Sequence, residues 1–218
     1  SRNLDKLTGI AKQIQDETKS ETLAVQVDVV KKDSVDKLAE TVLRKFGTVD
    51  ILVNSQGINT KAPALGFPEE TWNNIFDINV KGTMLACSAF GKTMIEKKKG
   101  KIINISSVRG LRATLWGGNE GYSASKGAVD MMTRALASEW APHNINVNAI
   151  APLLIRTPLA APTLNDPEKL RTYVANVPFK RIGEPQDLAG LCIFLASSAS
   201  DFITGQVIYL DGGLTAAG

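Results

Sequence analysis

Histidine is almost absent from this chain of 218 residues, which carries His143 and no other. Catalysis by an imidazole base thus has a single candidate. It sits in Ala141-Pro142-His143-Asn144, where a turn is the simpler reading. Cysteine is scarce too. Cys87 and Cys192 both fall in apolar helical stretches. They read as small core residues in a reducing compartment, the cytoplasm, rather than as a disulfide. No metal site is expected. No run of about 18 apolar residues occurs, so no membrane span is expected. No secretory leader is visible either. Charge of one sign is also lacking, the net value being +3. The longest basic run, Lys97-Lys98-Lys99, lies just before Gly100 and reads as a solvated helix C-terminus, where cations suit the macrodipole. Nucleic acid is therefore not an expected partner.

What is present describes one globular domain over residues 1–218, long enough for a real core. Strand and helix patterns alternate. Strands are expected at Leu23–Val29, Val49–Val53, Lys101–Ile105, Ile145–Ile150 and Gln206–Leu210. Helices are expected at Ser34–Phe46, Glu69–Lys97, Tyr122–Trp140 and Pro185–Ala196. Apolar strands separated by helices predict an α/β fold with a doubly wound parallel sheet, covered on both faces.

Tyr122 and Lys126 lie four residues apart on one of these helices, on the same face. An ammonium beside a phenol favours the phenolate. At about 4 Å and an effective dielectric of about 20, the attraction is roughly 4 kcal/mol. That is enough to bring a tyrosine from about 10 toward 7, where a general acid working near neutral pH is effective. In doubly wound sheets ligands bind at the carboxyl ends of the strands. Asp28, Asn54 to Gly57, Ser106-Ser107 and Pro152 to Thr157 all fall at such ends.

Taken together these residues resemble the short-chain dehydrogenase/reductase family, almost end to end, and imply its Rossmann-like fold. Asp28-Val29 resembles the adenine-contacting pair. Asn54 and Gly57 resemble the Asn-Asn-Ala-Gly segment. Asn79, Ser107, Tyr122 and Lys126 resemble the catalytic tetrad. Pro152, Ile155 and Thr157 resemble the nicotinamide-side loop, and Thr204-Gly205-Gln206 with Asp211-Gly212-Gly213 the carboxy-terminal signature. The resemblance implies an oxidoreductase that interconverts a secondary alcohol and a ketone. Tyr122 would pass the proton and Ser107 would hold the reacting oxygen. Lys126 would bind the nicotinamide ribose, and Asn79 would hold a water linking Lys126 to solvent.

The chain also departs from the family pattern. Gln56 replaces a small residue, and Leu153 a glycine. The Gly-rich phosphate loop is absent, because no strand precedes Thr8-Gly9-Ile10. Ser1-Arg2-Asn3 resembles the turn after the family's second strand. The expectation is a domain missing its first two strands and first helix, with a functional chain extending upstream. Leu23–Val29 would then lack a partner. In that turn a basic residue suits a 2′-phosphate, so Arg2 points to NADP, with NAD possible.

Gly57 to Pro63, Phe67 to Trp72 and Asp201 to Gln206 resemble the branch acting on sugar acids and polyols, such as gluconate 5-dehydrogenases. Arg109 and Arg112 follow Ser107 closely, and one of them, with Arg109 first, is the candidate for a substrate carboxylate. 3-Oxoacyl-carrier-protein reductase shares nearly every motif and stays open, as does a non-catalytic binding protein of the same fold. A homotetramer is the expected assembly. Gly82, Thr83, Ala86, Ala89 and Gly91 would allow close helix approach between subunits, and Ala128, Met131 and Met132 would add apolar surface.

Overall fold

The computed structural model describes residues 1–114 and 116–217. Its centre is a parallel sheet of four strands among the described residues, in the spatial order β1 (Ile51–Asn54), β2 (Gly100–Ile105), β3 (Ile145–Pro152), β4 (Val207–Leu210). Register is set by pairs such as Asn54 with Asn104, Ile105 with Ile150 and Pro152 with Leu210. All eight residues of β3 are buried, as a central strand covered on both faces requires.

Successive strand residues face opposite sides of a sheet. Ile102 accordingly packs with Cys87, Met94, Trp140 and Val147, under α4 (Gly82–Lys97) and α5 (Glu120–Trp140). Its neighbour Ile103 packs with Ile150 and Leu195, under α8 (Pro185–Ala196). Burying each such side chain stabilises the fold by about 1.5–3 kcal/mol. The remaining helices are α1 (Leu4–Thr18), α2 (Lys32–Phe46), α3 (Glu69–Phe76), α6 (Ala161–Leu164) and α7 (Pro167–Ala175). Among the described residues no helix is long and apolar enough to cross a membrane.

Two expectations are corrected, the strand at Leu23–Val29 and the unbroken helix at Glu69–Lys97, while the expected lack of a partner for Leu23–Val29 is met. Leu23–Val29 is extended but joins no ladder; Val27 N–H donates to the Ser1 carbonyl, and that is not a strand pairing. Its alternating pattern was sufficient for an extended backbone, but a strand needs a neighbour to bond. Likewise the outer edge of β1 is unpaired among the described residues, with Ile51 and Val53 44% and 42% exposed. The long helix expected over Glu69–Lys97 is broken by a π-turn at Asp77–Lys81. Gly82 and Gly91 are buried against their own chain. A Cβ on Gly82 would stand 2.9 Å from Val29 Cγ2, and one on Gly91 2.6 Å from Trp140 Cη2. Both glycines admit neighbours from the same chain. Helices α1, α6 and α7 have no counterpart in the sequence reading.

The carboxy-terminal signature closes the sheet. Val147 N–H donates to Thr204 Oγ1, and Gln206 N–H to Asn148 Oδ1. Asp211 accepts from the N–H groups of Gly213 and Thr215, around a turn where Gly212 and Gly213 have φ of 60° and 92°. Those values suit glycine.

Candidate active site

A cleft of about 680 Å³ opens at the carboxyl ends of β1, β2 and β3. Strand β1 leads into Gly57, β2 into Ser107 and Arg109, and β3 into Pro152, Ile155 and Thr157. All six line the cleft, together with Tyr122 from the first turn of α5. The strand-end argument thus places most of the expected site residues in one cavity.

Lys126 lies one turn further along α5 and is 4% exposed. Its Nζ donates to the Ile105 carbonyl at 2.7 Å and stands 5.7 Å from the Tyr122 ring centroid. A Cβ on Gly57 would sit 3.5 Å from both Lys126 Nζ and Asn79 Oδ1. Glycine keeps that space beside the ammonium open.

Asn79 is fully buried in the π-turn. Its Oδ1 accepts from Ile58 N–H at 2.9 Å, and its Nδ2 reaches the Ile58 carbonyl and Ser125 Oγ, each at 3.0 Å. Thr83 Oγ1 donates to the Asn79 carbonyl, and Gln56 Nε2 donates to that same hydroxyl. Asn79 is therefore a strut between the loop after β1 and helix α5. Gln56, one of the departures, is absorbed into the strut's support.

Ser107 accepts from Arg109 N–H at 3.2 Å and donates weakly to the Pro152 carbonyl at 3.5 Å. The turn it opens, Val108–Gly110, rests on α5. A Cβ on Gly110 would lie 2.5 Å from Asp130 Oδ2 and 3.1 Å from Gly127 N, so only glycine fits between that turn and the helix.

The expected lowering of the Tyr122 pKa by Lys126 is not found. Burial pushes the phenol up from its ordinary value. The Ser107 hydroxyl draws it down, Tyr173 pushes it up, and the Arg109 guanidinium draws it down. Burial also lowers Lys126, to about 8, against a smaller upward pull from Asp130. Desolvation opposes the charged form of each group, and burial is the largest influence on both. Spacing along a helix does not reveal burial, so the sequence argument overstated the attraction.

Six expected residues are not among those lining the cleft: Lys126 and Asn79, described above, and Asn54, Asp28, Val29 and Arg2. Asn54 Nδ2 donates to Asn104 Oδ1 at 2.9 Å and to Cys87 Sγ at 3.3 Å, in a buried network that continues to Thr133. Asp28 accepts from Val30 N–H and pairs with Lys31 at 3.8 Å, shaping the turn before α2. Val29 packs against Gly82. Arg2 is exposed, and its carbonyl accepts from Gln26 Nε2 at 2.7 Å. That bond and the Val27–Ser1 bond bring residues 1–2 beside the segment ending in Asp28.

Sequence reasoning missed Tyr173, Asn59 and Asn119, which also line the cleft. Tyr173 stacks on Trp116 with centroids 5.8 Å apart and planes at 21°, and its hydroxyl accepts from Arg109 Nη2 at 3.1 Å. Asp166-Pro167 was an available signal for its helix. Asp166 Oδ1 caps α7 by accepting from Lys169 N–H, and proline suits the first helical position. Among the described residues no group of three or more His, Cys, Asp or Glu side chains is arranged to hold a metal.

The sequence pattern of the family described as Enoyl-(Acyl carrier protein) reductase matches residues 2–215. The chain is 37% identical over 199 residues to a 5-keto-D-gluconate 5-reductase of Escherichia coli (strain K12), covering 90% of this chain and 77% of that protein. It is 39% identical over 189 residues to a 3-oxoacyl-[acyl-carrier-protein] reductase of Thermotoga maritima, covering 86% and 75%. Its fold superposes on a gluconate 5-dehydrogenase from Burkholderia cenocepacia J2315, crystallised with NADP and tartrate. The TM-score is 0.93 at 34% identity, covering 100% of this chain and 84% of that one.

Proposed function

The chain belongs to the short-chain dehydrogenase/reductase family, and on that footing we propose that it interconverts a secondary alcohol and a ketone on a sugar acid or polyol, using NADP(H). The observation that carries this reading is the meeting of Ser107, Tyr122 and Arg109 in one cleft, with Lys126 directly behind Tyr122.

In reduction Tyr122 donates its phenolic proton to the carbonyl oxygen; in oxidation it takes the proton from the alcohol. Burial keeps that phenol protonated in the unliganded protein, the form a general acid needs. Ser107 donates a hydrogen bond to the same oxygen and fixes its position. Lys126 binds the ribose hydroxyls through the space that Gly57 keeps open. Asn79 acts as a positioning residue, tying Ile58 to Ser125 and so setting Lys126 against the loop after β1. Bound nicotinamide supplies or accepts the hydride, so the protein's own task is to orient and polarise. Pro152, Ile155 and Thr157, which line the same cleft as Gly57, hold the nicotinamide side, and Arg2, Asp28 and Val29 belong to the adenine end. A cationic Arg2 favours NADP over NAD.

Two points support a sugar acid: the activity carried by the Escherichia coli relative's name, and the position of Arg109 in the cleft. The likeness to the Thermotoga maritima enzyme favours a second reading, reduction of a 3-oxoacyl thioester. Steady-state assays separate the two. Oxidation of gluconate with NADP is expected to exceed reduction of acetoacetyl thioester in kcat/KM, and the reverse order would favour the second reading.

We place the protein in the cytoplasm, in keeping with its unpaired Cys87 and Cys192. A homotetramer fits the apolar side chains displayed on α4 and α5, with Met131 61% exposed. A monomeric mass by light scattering would exclude it.

A further inference from the structure

The cleft carries two kinds of polar group that no proton transfer uses. The first is amide oxygen. Asn119 is 5% exposed, and its Oδ1 is buried with no hydrogen-bond partner among the described residues; the Oδ1 of Asn59 is in the same state. The two loops that carry them touch, since Ala62 N–H donates to the Gly118 carbonyl at 3.1 Å. Both residues line the cleft that holds Tyr122. A buried acceptor without a donor costs about 1–3 kcal/mol. Water, or a ligand bearing O–H or N–H groups in its place, removes that cost. An aliphatic acyl chain has none to offer.

The second kind is the pair formed by Arg109 and Tyr173. Arg109 Nη1 is anchored to the Ala113 carbonyl at 2.5 Å, and Nη2 donates to the Tyr173 hydroxyl. Tyr173 is braced by its stacking on Trp116. Because the hydroxyl accepts from a guanidinium, its own proton is directed elsewhere. A held guanidinium beside a phenolic O–H offers one donor to each oxygen of a carboxylate.

We propose that these groups form a built specificity site for a polyhydroxy acid: Asn119 and Asn59 accept from the substrate's hydroxyls, while Arg109 and Tyr173 together grip its carboxylate. This deepens the sugar-acid reading and rests on it for the reacting hydroxyl. The binding chemistry stands separately.

Three six-carbon ligands dissect the site: gluconate has hydroxyls and a carboxylate, glucitol hydroxyls without the acid, and hexanoate the acid without hydroxyls. Their affinities for the full chain are measured by calorimetry with NADPH present. The wild-type protein is expected to bind gluconate at least tenfold tighter than either of the others. Tyr173→Phe keeps the ring stack and removes the donor, so it is expected to weaken gluconate and hexanoate about tenfold and leave glucitol unchanged. Asn119→Ala is expected to weaken gluconate and glucitol about tenfold and leave hexanoate unchanged.

A wild-type protein with equal affinity for all three ligands would overturn the proposal, whatever the variants do. So would variants that shift all three affinities together, the mark of a merely structural role. If gluconate binds in the predicted order yet is not oxidised, the specificity site stands and the reaction assigned above fails. If gluconate is oxidised but the variants change no affinity, the reaction stands and the specificity site fails.

Discussion

Tyr122→Phe is expected to lower kcat by about a thousandfold while NADPH affinity and thermal stability stay near wild type. General acid–base catalysis by a positioned side chain contributes about 10²–10⁴-fold, and the substitution removes the proton carrier alone. The ring stays, and with it the packing of a residue only 9% exposed. Lys126 keeps its bond to the Ile105 carbonyl, because that bond does not involve the phenol. Loss of turnover should therefore separate from loss of binding. Stopped-flow turnover and fluorescence titration with NADPH measure the two. A variant retaining a tenth or more of wild-type kcat would mean that another group moves the proton.

Lys126→Met is expected to abolish activity and yet to stabilise the fold at neutral pH. Burial draws the Lys126 pKa from 10.5 down to about 8. That drop corresponds to about 3 kcal/mol held against folding whenever the side chain is charged. Methionine removes the charge and fills a similar volume, but leaves the Ile105 carbonyl without its donor, at a cost of about 1–2 kcal/mol. The net gain at pH 7 is about 1–2 kcal/mol.

The pH dependence follows with a definite sign. Below about pH 8 both folded and unfolded chains carry the proton, and the full penalty applies. Between about pH 8 and 10.5 the unfolded chain holds more protons, so this group's contribution makes the wild type more stable as pH rises. The variant should lack that rise. Urea denaturation of both proteins at pH 7 and pH 9.5 measures it. A less stable variant at pH 7, or a stability difference independent of pH, would contradict the assignment. Such a lysine is retained at a cost in stability, as expected of a group kept for its chemistry.

The parts of the fold that were legible in the sequence are those where pattern alone decides the outcome. The run Lys101–Ile105 has to be a covered strand, and Tyr122–Trp140 has to be a helix, whatever surrounds them. Strand ends then locate the cleft, so Gly57, Ser107, Pro152, Ile155 and Thr157 could be placed together without coordinates. What was not legible depends on neighbours distant in the chain. Asn54 faces Asn104 across the sheet because of the β1–β2 register, and that pairing turns it away from the cleft. The π-turn at Asn79 was not anticipated, and in it the side chain engages Ile58 and Ser125, both distant in the chain. The electrostatics of Tyr122 and Lys126 went astray for the same reason. Four-residue spacing fixes their proximity, whereas the opposing desolvation comes from everything packed around them.

The central claim is that hydride passes between a nicotinamide and the carbon whose oxygen meets Tyr122. The most direct measurement uses NADPH carrying deuterium at both C4 positions, incubated with 5-keto-gluconate and the full chain, with the product analysed by mass spectrometry. The account predicts gluconate containing one deuterium at the former carbonyl carbon, formed by the wild type and not detectably by Tyr122→Phe over the same period. Unlabelled product, or labelled product formed equally fast by both proteins, would contradict it.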